Sequence, residues 1–312
     1  MRVVSLFSGA GGLDFGFHRA GHDVVWAVDH DRDAVATYRK NLSGGIVCAG
    51  IEEVDVASIP DCDVVIGGFP CQGFSQANLR RDAGDLRNAL YLYFLDVVRE
   101  KQPDIFIAEN VKGILSLEKG EAIRRIVGDF EGAGYSVEVH SVNLANYGVP
   151  QSRQRVFIVG RSLRPRRYSG FTFPEPTHSK RAEGGLLPWV TVRDALEHFP
   201  DPDVPNGVAN HVYSSYRVAF RNFTAHRRTD PEKPCPTILA RGNGQGGVCA
   251  IPHYNGLRRL TVRESAAVQT FPDDFEFVGS MTSCYRQIGN AVPCLFSVRL
   301  AEAVGEMQVL CE

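Results

Sequence analysis

Through the first 160 residues of this 312-residue chain, short β-branched runs alternate with helix-like stretches, and few folds accommodate that order. Apolar runs at 3–7, 24–28, 46–51, 64–67, 105–108, 137–142 and 156–159 predict buried strands. Between them, 13–19 stops at Gly21, a residue suited to the left-handed turn that ends a helix. Residues 31–42 place Val35, Tyr38 and Leu42 on one helical face, and 90–100 and 121–130 have the same period before Pro103 and Gly132. The fold class expected is α/β, a mostly parallel sheet with helices on both faces. No helix pattern separates the runs near 137 and 156, which predicts an antiparallel pair at one edge of that sheet.

The texture changes after about residue 161. The stretch 161–167 is basic and turn-rich, and proline recurs at 174, 176, 188, 200, 202, 205, 231, 234 and 236. Two domains are expected: 1–165 plus 290–312, and a smaller irregular one over 166–289, with the end (293–310) again helical. Residues 161–289 carry 17 Lys and Arg against 12 Asp and Glu, whereas the remainder carries 17 against 24. A basic segment suits a polyanion, although chance surface variation gives an excess of that size as readily. No run of about 18 apolar residues offers a membrane span. The N-terminus reaches a glycine turn too early for a signal peptide. The eight cysteines form no Cys-x-x-Cys pair and no cluster with zinc spacing, so no metal site is expected and a reducing, cytoplasmic compartment is.

Four places bear chemistry. Phe7-Ser8-Gly9-Ala10-Gly11-Gly12-Leu13 follows a strand and opens a helix, where glycine lets the backbone approach a ligand at the helix N-terminus. Asp29, 17 positions after Gly12, ends the second strand and can bond both hydroxyls of a ribose. The alternative is a tight structural turn. Cys71 lies in Gly68-Phe69-Pro70-Cys71-Gln72-Gly73, directly after the fourth strand, where an open α/β sheet builds its site; a thiolate there is an attacking group. Cys48 and Cys294 read instead as small buried hydrophobes. Glu109 ends the fifth strand beside it, placed as an acid or, alternatively, as a cap. Strand alternation puts Arg153 and Arg155 on one face, suited to phosphate or a carbonyl oxygen, or simply to a solvated edge.

In order, Phe7–Leu13, Pro70-Cys71-Gln72, Glu109-Asn110-Val111, Gln151-x-Arg153-x-Arg155 and Gln287-Ile288-Gly289-Asn290-Ala291-Val292-Pro293 resemble the motif set of the DNA (cytosine-5) methyltransferases. Residues 258–264 and 271–275 also fit, and the likeness runs from residue 3 to about 305, apart from a variable stretch near 162–230. It implies a Rossmann-like S-adenosylmethionine-dependent sheet with a smaller target-recognition domain. By that resemblance Cys71 adds to carbon 6 of a flipped cytosine, Glu109 holds ring N3, Arg155 binds O2, and Arg153 braces the site or a phosphate. Cofactor contacts fall on Phe7, Gly9, Gly11, Gly12, Leu13, Asp29, His30, Ile51, Pro70, Leu90, Asn290 and Ala291. Two positions depart from the pattern. Gly50 stands where an acidic residue usually meets the adenine amino group, which leaves backbone or Glu52 for that task, and Asp29 replaces a more frequent Glu.

A lid over DNA is expected at 72–87, with Gln72, Ser75, Arg80, Arg81 and Arg87 touching it. Arg241 and Gln245 are candidates for reading base edges, with phosphate contact the alternative for Arg241, and Arg227 and Arg228 for backbone contact. The resemblance implies a bacterial or phage enzyme acting as a monomer on double-stranded DNA, cytoplasmic and nucleoid-associated, beside a restriction endonuclease or as an orphan. Its pattern is most similar to the subgroup that methylates GGCC. Three other readings stay open: a cytosine-5 RNA methyltransferase on the same fold, a DNA-binding protein that has lost turnover, and a nicotinamide oxidoreductase. The last leaves Cys71 and Asn290 unexplained.

Overall fold

The computed structural model describes residues 1–70, 90–214, 229–240, 251–256 and 258–310. Chain order gives β1 (Arg2–Leu6), α1 (Gly12–Arg19), β2 (Asp23–Asp29), α2 (Arg32–Asn41), β3 (Ile46–Cys48), β4 (Val64–Gly67), α3 (Leu90–Lys101), β5 (Ile105–Val111), α4 (Glu121–Gly132), β6 (Tyr135–Asn143), β7 (Gln151–Ser152), β8 (Gln154–Ser162), α5 (Val192–Leu196), α6 (Val262–Val268), α7 (Met281–Asn290) and α8 (Cys294–Gly305). Seven strands form one sheet in the order β3-β2-β1-β4-β5-β8-β6. The first five are parallel, while β8 runs antiparallel to both β5 and β6. The antiparallel pair expected near residues 137 and 156 is therefore present, with β6 as the outer strand.

Successive side chains of a strand face opposite ways, and here both faces are buried. Val3, Val64, Ile66, Ile105, Ile107, Phe157 and Val159 pack with Phe17 of α1, Val35 and Tyr38 of α2, and Phe296 and Leu300 of α8. Their neighbours Val4, Val65, Phe106, Ala108, Val156 and Ile158 pack with Phe94 and Val98 of α3 and Ile126 and Phe130 of α4. That is why the strand runs read as almost unbroken apolar sequence. Asp31 starts α2 by accepting hydrogen bonds from the backbone N–H groups of Asp33 and Ala34, a side-chain cap that α1 lacks.

Three expectations are corrected at strand ends. β1 stops at Leu6 because Phe7 takes a φ of +55°, which breaks the ladder. The run at 46–51 is strand only to Cys48, the partner of the last residue of β2, and Ile51 opens a one-turn 3-10 helix instead. Cys48, expected inside the core, is exposed, because β3 is an edge strand with only Ile46 turned inward.

A third core gathers Val192 and Leu196 of α5, Val262 and Ala266 of α6, Phe271, Phe275, Phe277 and Ile288, and includes Ala10 of the first glycine turn. Hydrogen bonds fasten this part to α2. Thr37 Oγ1 donates to Gln287 Oε1 at 2.7 Å, and Asn41 exchanges two 2.8 Å bonds with the backbone of Glu276. Three of the arginines behind the basic balance of 161–289 are buried here. Arg258 makes two 2.7 Å bonds to Glu264; Arg259 lies 4.0 Å from the ring centre of Tyr285; Arg263 donates to the carbonyls of Ala209, Pro272 and Phe275. These charges build the fold and are not available to a polyanion. Among the described residues no helix is long and apolar enough to cross a membrane.

The tightest approach in the molecule that concerns the site is between α1 and α8. A Cβ on Gly16 would lie 2.1 Å from the backbone carbonyl carbon of Ser297, and Ser297 Oγ donates to Gly12 O at 2.9 Å. Gly16→Ala is expected to push the helices apart and to destabilise the protein by about 3 kcal/mol, the upper range for overpacking. A urea unfolding curve measures this, and an unchanged midpoint would show that the two helices separate freely.

Candidate active site

A cavity of about 1100 Å³ opens at the carboxyl ends of four parallel strands. Residues 7–10 after β1, 29–31 at the end of β2, 67–70 at the end of β4 and 109–111 of β5 line it, and 289–292 at the end of α7 close it from across. Strand order reverses between β1 and β4, which is where an open α/β sheet leaves room for a ligand. Its volume exceeds the usual range of about 300–1,000 Å³ for a single small-molecule site.

One end of the cavity is built by the first glycine turn. Phe7, Gly9 and Gly11 take φ values of +55°, +56° and +90°, which turn the chain sharply from β1 into α1. A Cβ on Gly11 would strike Leu42 and Tyr38, so that glycine is required by packing, whereas nothing lies within 4 Å of one on Gly9. Asp29 is fixed beside the turn: Gly9 N donates to its Oδ2 and Asp31 N to its Oδ1, each at 2.8 Å. Burial raises the pKa of Asp29 despite those two bonds. Arg286 of α7 reaches Asp31 at 2.8 Å, joining α7 to the loop after β2.

At the other end, Glu109 Oε1 and Arg155 Nε lie 2.8 Å apart, with their side chains 12% and 11% exposed. That Nε is buried and makes no aligned hydrogen bond, so the pair is held by charge. The register explains the meeting, since Arg155 lies opposite Val111 on β5. Asn110, buried next to Glu109, donates from Nδ2 to Phe69 O at 3.0 Å and so fixes the loop two residues before Cys71.

Arg153 departs from the strand face and the phosphate contact expected of it. It precedes β8, its side chain is 1% exposed, and its guanidinium donates to the carbonyls of Ile238 (2.9 Å), Gly289 (2.8 Å) and Ala291 (3.1 Å). It therefore shares no solvent-facing strand surface with Arg155 and cannot meet a phosphate. Burial, then the nearby Arg155, pulls its pKa down.

The profile of the C-5 cytosine-specific DNA methylases matches residues 1–306. The type II methyltransferase M.NgoFVII of Neisseria gonorrhoeae is 41% identical over 328 residues, covering 97% of this chain and 86% of that protein. M.BsuRI of Bacillus subtilis is 34% identical, covering 99% and 80%. This chain belongs to the C-5 cytosine-specific DNA methylase family. In fold, the S. pombe Dnmt2 methyltransferase superposes with a TM-score of 0.71 at 23% identity, covering 98% of each chain.

As a member of that family the protein is an S-adenosylmethionine-dependent methyltransferase acting on DNA. The cavity fits such a cofactor: Asp29 offers a carboxylate to a nucleoside, Gly9 leaves open space, and the buried Asp14 Oδ2 has no hydrogen-bond partner. Of the residues expected to hold it, Phe7, Gly9, Gly12, Leu13, Asp29, His30, Pro70, Leu90, Asn290 and Ala291 line this cavity. Gly11, Gly50 and Ile51 do not; Gly11 is packed under the turn and Ile51 belongs to the core. Cys71, Gln72, Ser75, Arg80, Arg81, Arg87, Arg227, Arg228, Arg241 and Gln245 lie outside the described residues. Burial pushes the thiol of Cys62 up to about 12 and raises those of Cys235 and Cys294 as well, so these three are unsuited to be nucleophiles.

Sequence reasoning missed Asn110 as a clamp, Arg286 as a strut and Asp14 as a buried charge. Asn110 sits inside the Glu-Asn-Val motif and Arg286 one turn before Asn290, so each was adjacent to a recognised signal. Arg153→Met is expected to leave the carbonyls of Ile238 and Gly289 without this donor, Ala291 keeping its bond from Gln269, and to cost about 3 kcal/mol or more in a urea titration. Arg155→Met, at the cavity wall, is expected to remove activity, and because it leaves the nearly buried Glu109 without its counter-charge it costs stability as well. Retained activity in Arg155→Met, or an unchanged urea midpoint in Arg153→Met, would contradict this division of labour.

Proposed function

We propose that this methyltransferase acts on cytosine within one short duplex DNA sequence through a thiolate adduct of Cys71, as the modification enzyme of a restriction–modification pair. The observation that carries the reading is the Glu109–Arg155 pair in the same cavity as Asp29 and Pro70, the residue before Cys71. The volume supports two ligands side by side, a cofactor at the Asp29 end and an extruded base at the Glu109 end. The cofactor supplies an electrophilic methyl group on a cationic sulfur.

Cytosine C5 is a poor nucleophile on its own. Addition of the Cys71 thiolate to C6 moves the C5–C6 π electrons to C5 and makes that carbon able to take the methyl. Glu109 holds ring N3 and limits the charge that builds on the ring, while Arg155 donates to O2. Loss of the C5 proton then restores the double bond and releases Cys71. Asn110 and Arg153 act by position only. Flipping the base out of the duplex costs a few kcal/mol, which phosphate and groove contacts must offset.

The segment over 166–289 is read as the part that recognises sequence, on a catalytic body of 1–165 plus 290–312, with Arg227, Arg228, Arg241 and Gln245 as its DNA contacts. Gln72, Ser75, Arg80, Arg81 and Arg87 belong to the lid. Gly50, the position before Ile51, has no side chain to meet adenine, and the Glu52 carboxylate lies 2.6 Å from where a Cβ at residue 50 would stand. That task falls to the backbone or to Glu52. The names of the relatives support pairing with an endonuclease, and the same reading has the protein act as a monomer at the nucleoid.

Duplex DNA with 5-fluorocytosine at the target should trap the wild-type enzyme covalently in the presence of cofactor, because fluorine cannot leave as a proton does. Cys71→Ala should form no adduct yet retain DNA binding that weakens steeply with salt. A gel-stable adduct with the alanine variant, or none with the wild type, would overturn the mechanism.

A further inference from the structure

Asp14 lies in the first turn of α1, directly under the glycine turn, and its side chain is fully buried. Tyr38 donates its hydroxyl to Oδ1 at 3.0 Å. Oδ2 accepts no hydrogen bond, although Asp14 is among the residues lining the cavity. A buried carboxylate with an idle oxygen is costly and requires a reason. The buried Tyr38 hydroxyl accounts for Oδ1 and leaves Oδ2 unexplained.

The charges around the cavity suggest the reason. Glu109 is matched by Arg155, and Asp31 by Arg286. The N-terminus of α1 faces the cavity with no side-chain cap, and the positive end of a helix repels a cation. Yet the methyl donor is a sulfonium, and methyl transfer turns that sulfur into a neutral thioether. We propose that Asp14 is the buried counter-charge by which the cavity discriminates the cationic methyl donor from its neutral product. The proposal rests on the reading of this cavity as the cofactor site.

A fixed anion in a medium of low dielectric stabilises the sulfonium and does little for the thioether, so its removal shifts the balance toward product. The groups facing Asp14 are Tyr38 from α2, Ser5 from β1 and Asp29 from β2. Burial raises its pKa to about 6, the neighbouring Ser5 and Tyr38 hydroxyls lower it, and the charge of Asp29 adds to the rise. Donor affinity should therefore fall as the pH drops through that value, because protonation removes the anion, while product affinity should hold.

Calorimetric titration of the full chain with S-adenosylmethionine and with S-adenosylhomocysteine, between pH 5 and 8, tests this. Asp14→Asn is expected to shift the ratio of the two affinities at pH 8 toward the product by roughly tenfold and to flatten its pH dependence. Tyr38→Phe, which removes a donor to the carboxylate, should move the midpoint of the wild-type profile to higher pH. An equal weakening of both ligands by Asp14→Asn, or a wild-type ratio that does not vary with pH, would make Asp14 a structural residue and overturn the proposal. Should Asp14→Asn fail to fold, the wild-type and Tyr38→Phe profiles decide alone. Asp29→Ala separates the two levels of the reading: loss of both affinities supports the site assignment on which the proposal stands, and unchanged affinities overturn that assignment and the proposal with it.

Discussion

The buried guanidinium of Arg153 is the interaction on which the site most depends. It comes from the link between two strands at the antiparallel side of the sheet. Its three acceptors belong to the segment around Ile238 and to the end of α7 at Gly289 and Ala291. One side chain thus joins the sheet, the cofactor wall and the irregular part of the chain. Carbonyl oxygens suit this task because a carboxylate would bring a second ion to desolvate. Arginine suits it because its planar fork carries enough donors to serve several acceptors at once.

Around that joint, the chemistry follows from the parallel sheet. Parallel strands deliver their carboxyl ends to one edge, so Phe7, Asp29, Pro70 and Glu109, far apart in sequence, converge there. The antiparallel strand β8 then supplies Arg155 from the opposite direction, which places a cation against Glu109. The close contact of α1 and α8 at Gly16 fixes the glycine turn relative to residues 289–292 across the cavity. Backbone contacts, in which little can adjust, set this geometry, and the reacting groups are carried on it.

Much of this was legible in the sequence because period and glycine placement are local signals. The parallel strands, the edge pair and the turn at Gly9 and Gly11 follow from them, with errors at the strand ends Phe7 and Cys48 and at the helix expected over 293–310, which stops at Gly305 before a short strand at Gln308–Val309. The buried arginines were not legible. Arg258, Arg259 and Arg263 counted as positive surface, because a charge total carries no information on pairing, and only the fold reveals the partners of Arg258 and Arg263. Arg153 was misplaced for a related reason: strand alternation was extended one residue past the true start of β8. Asp14 gave no signal, since a carboxylate early in a helix is ordinarily a favourable surface charge.

The most direct test of the account is bisulfite sequencing of a plasmid carrying this gene, grown in a host that lacks cytosine methylation. Cytosines methylated at C5 resist conversion. The account predicts that one cytosine within a single short sequence resists on both strands while the rest convert. Complete conversion, with folded protein confirmed in the same cells, would contradict it.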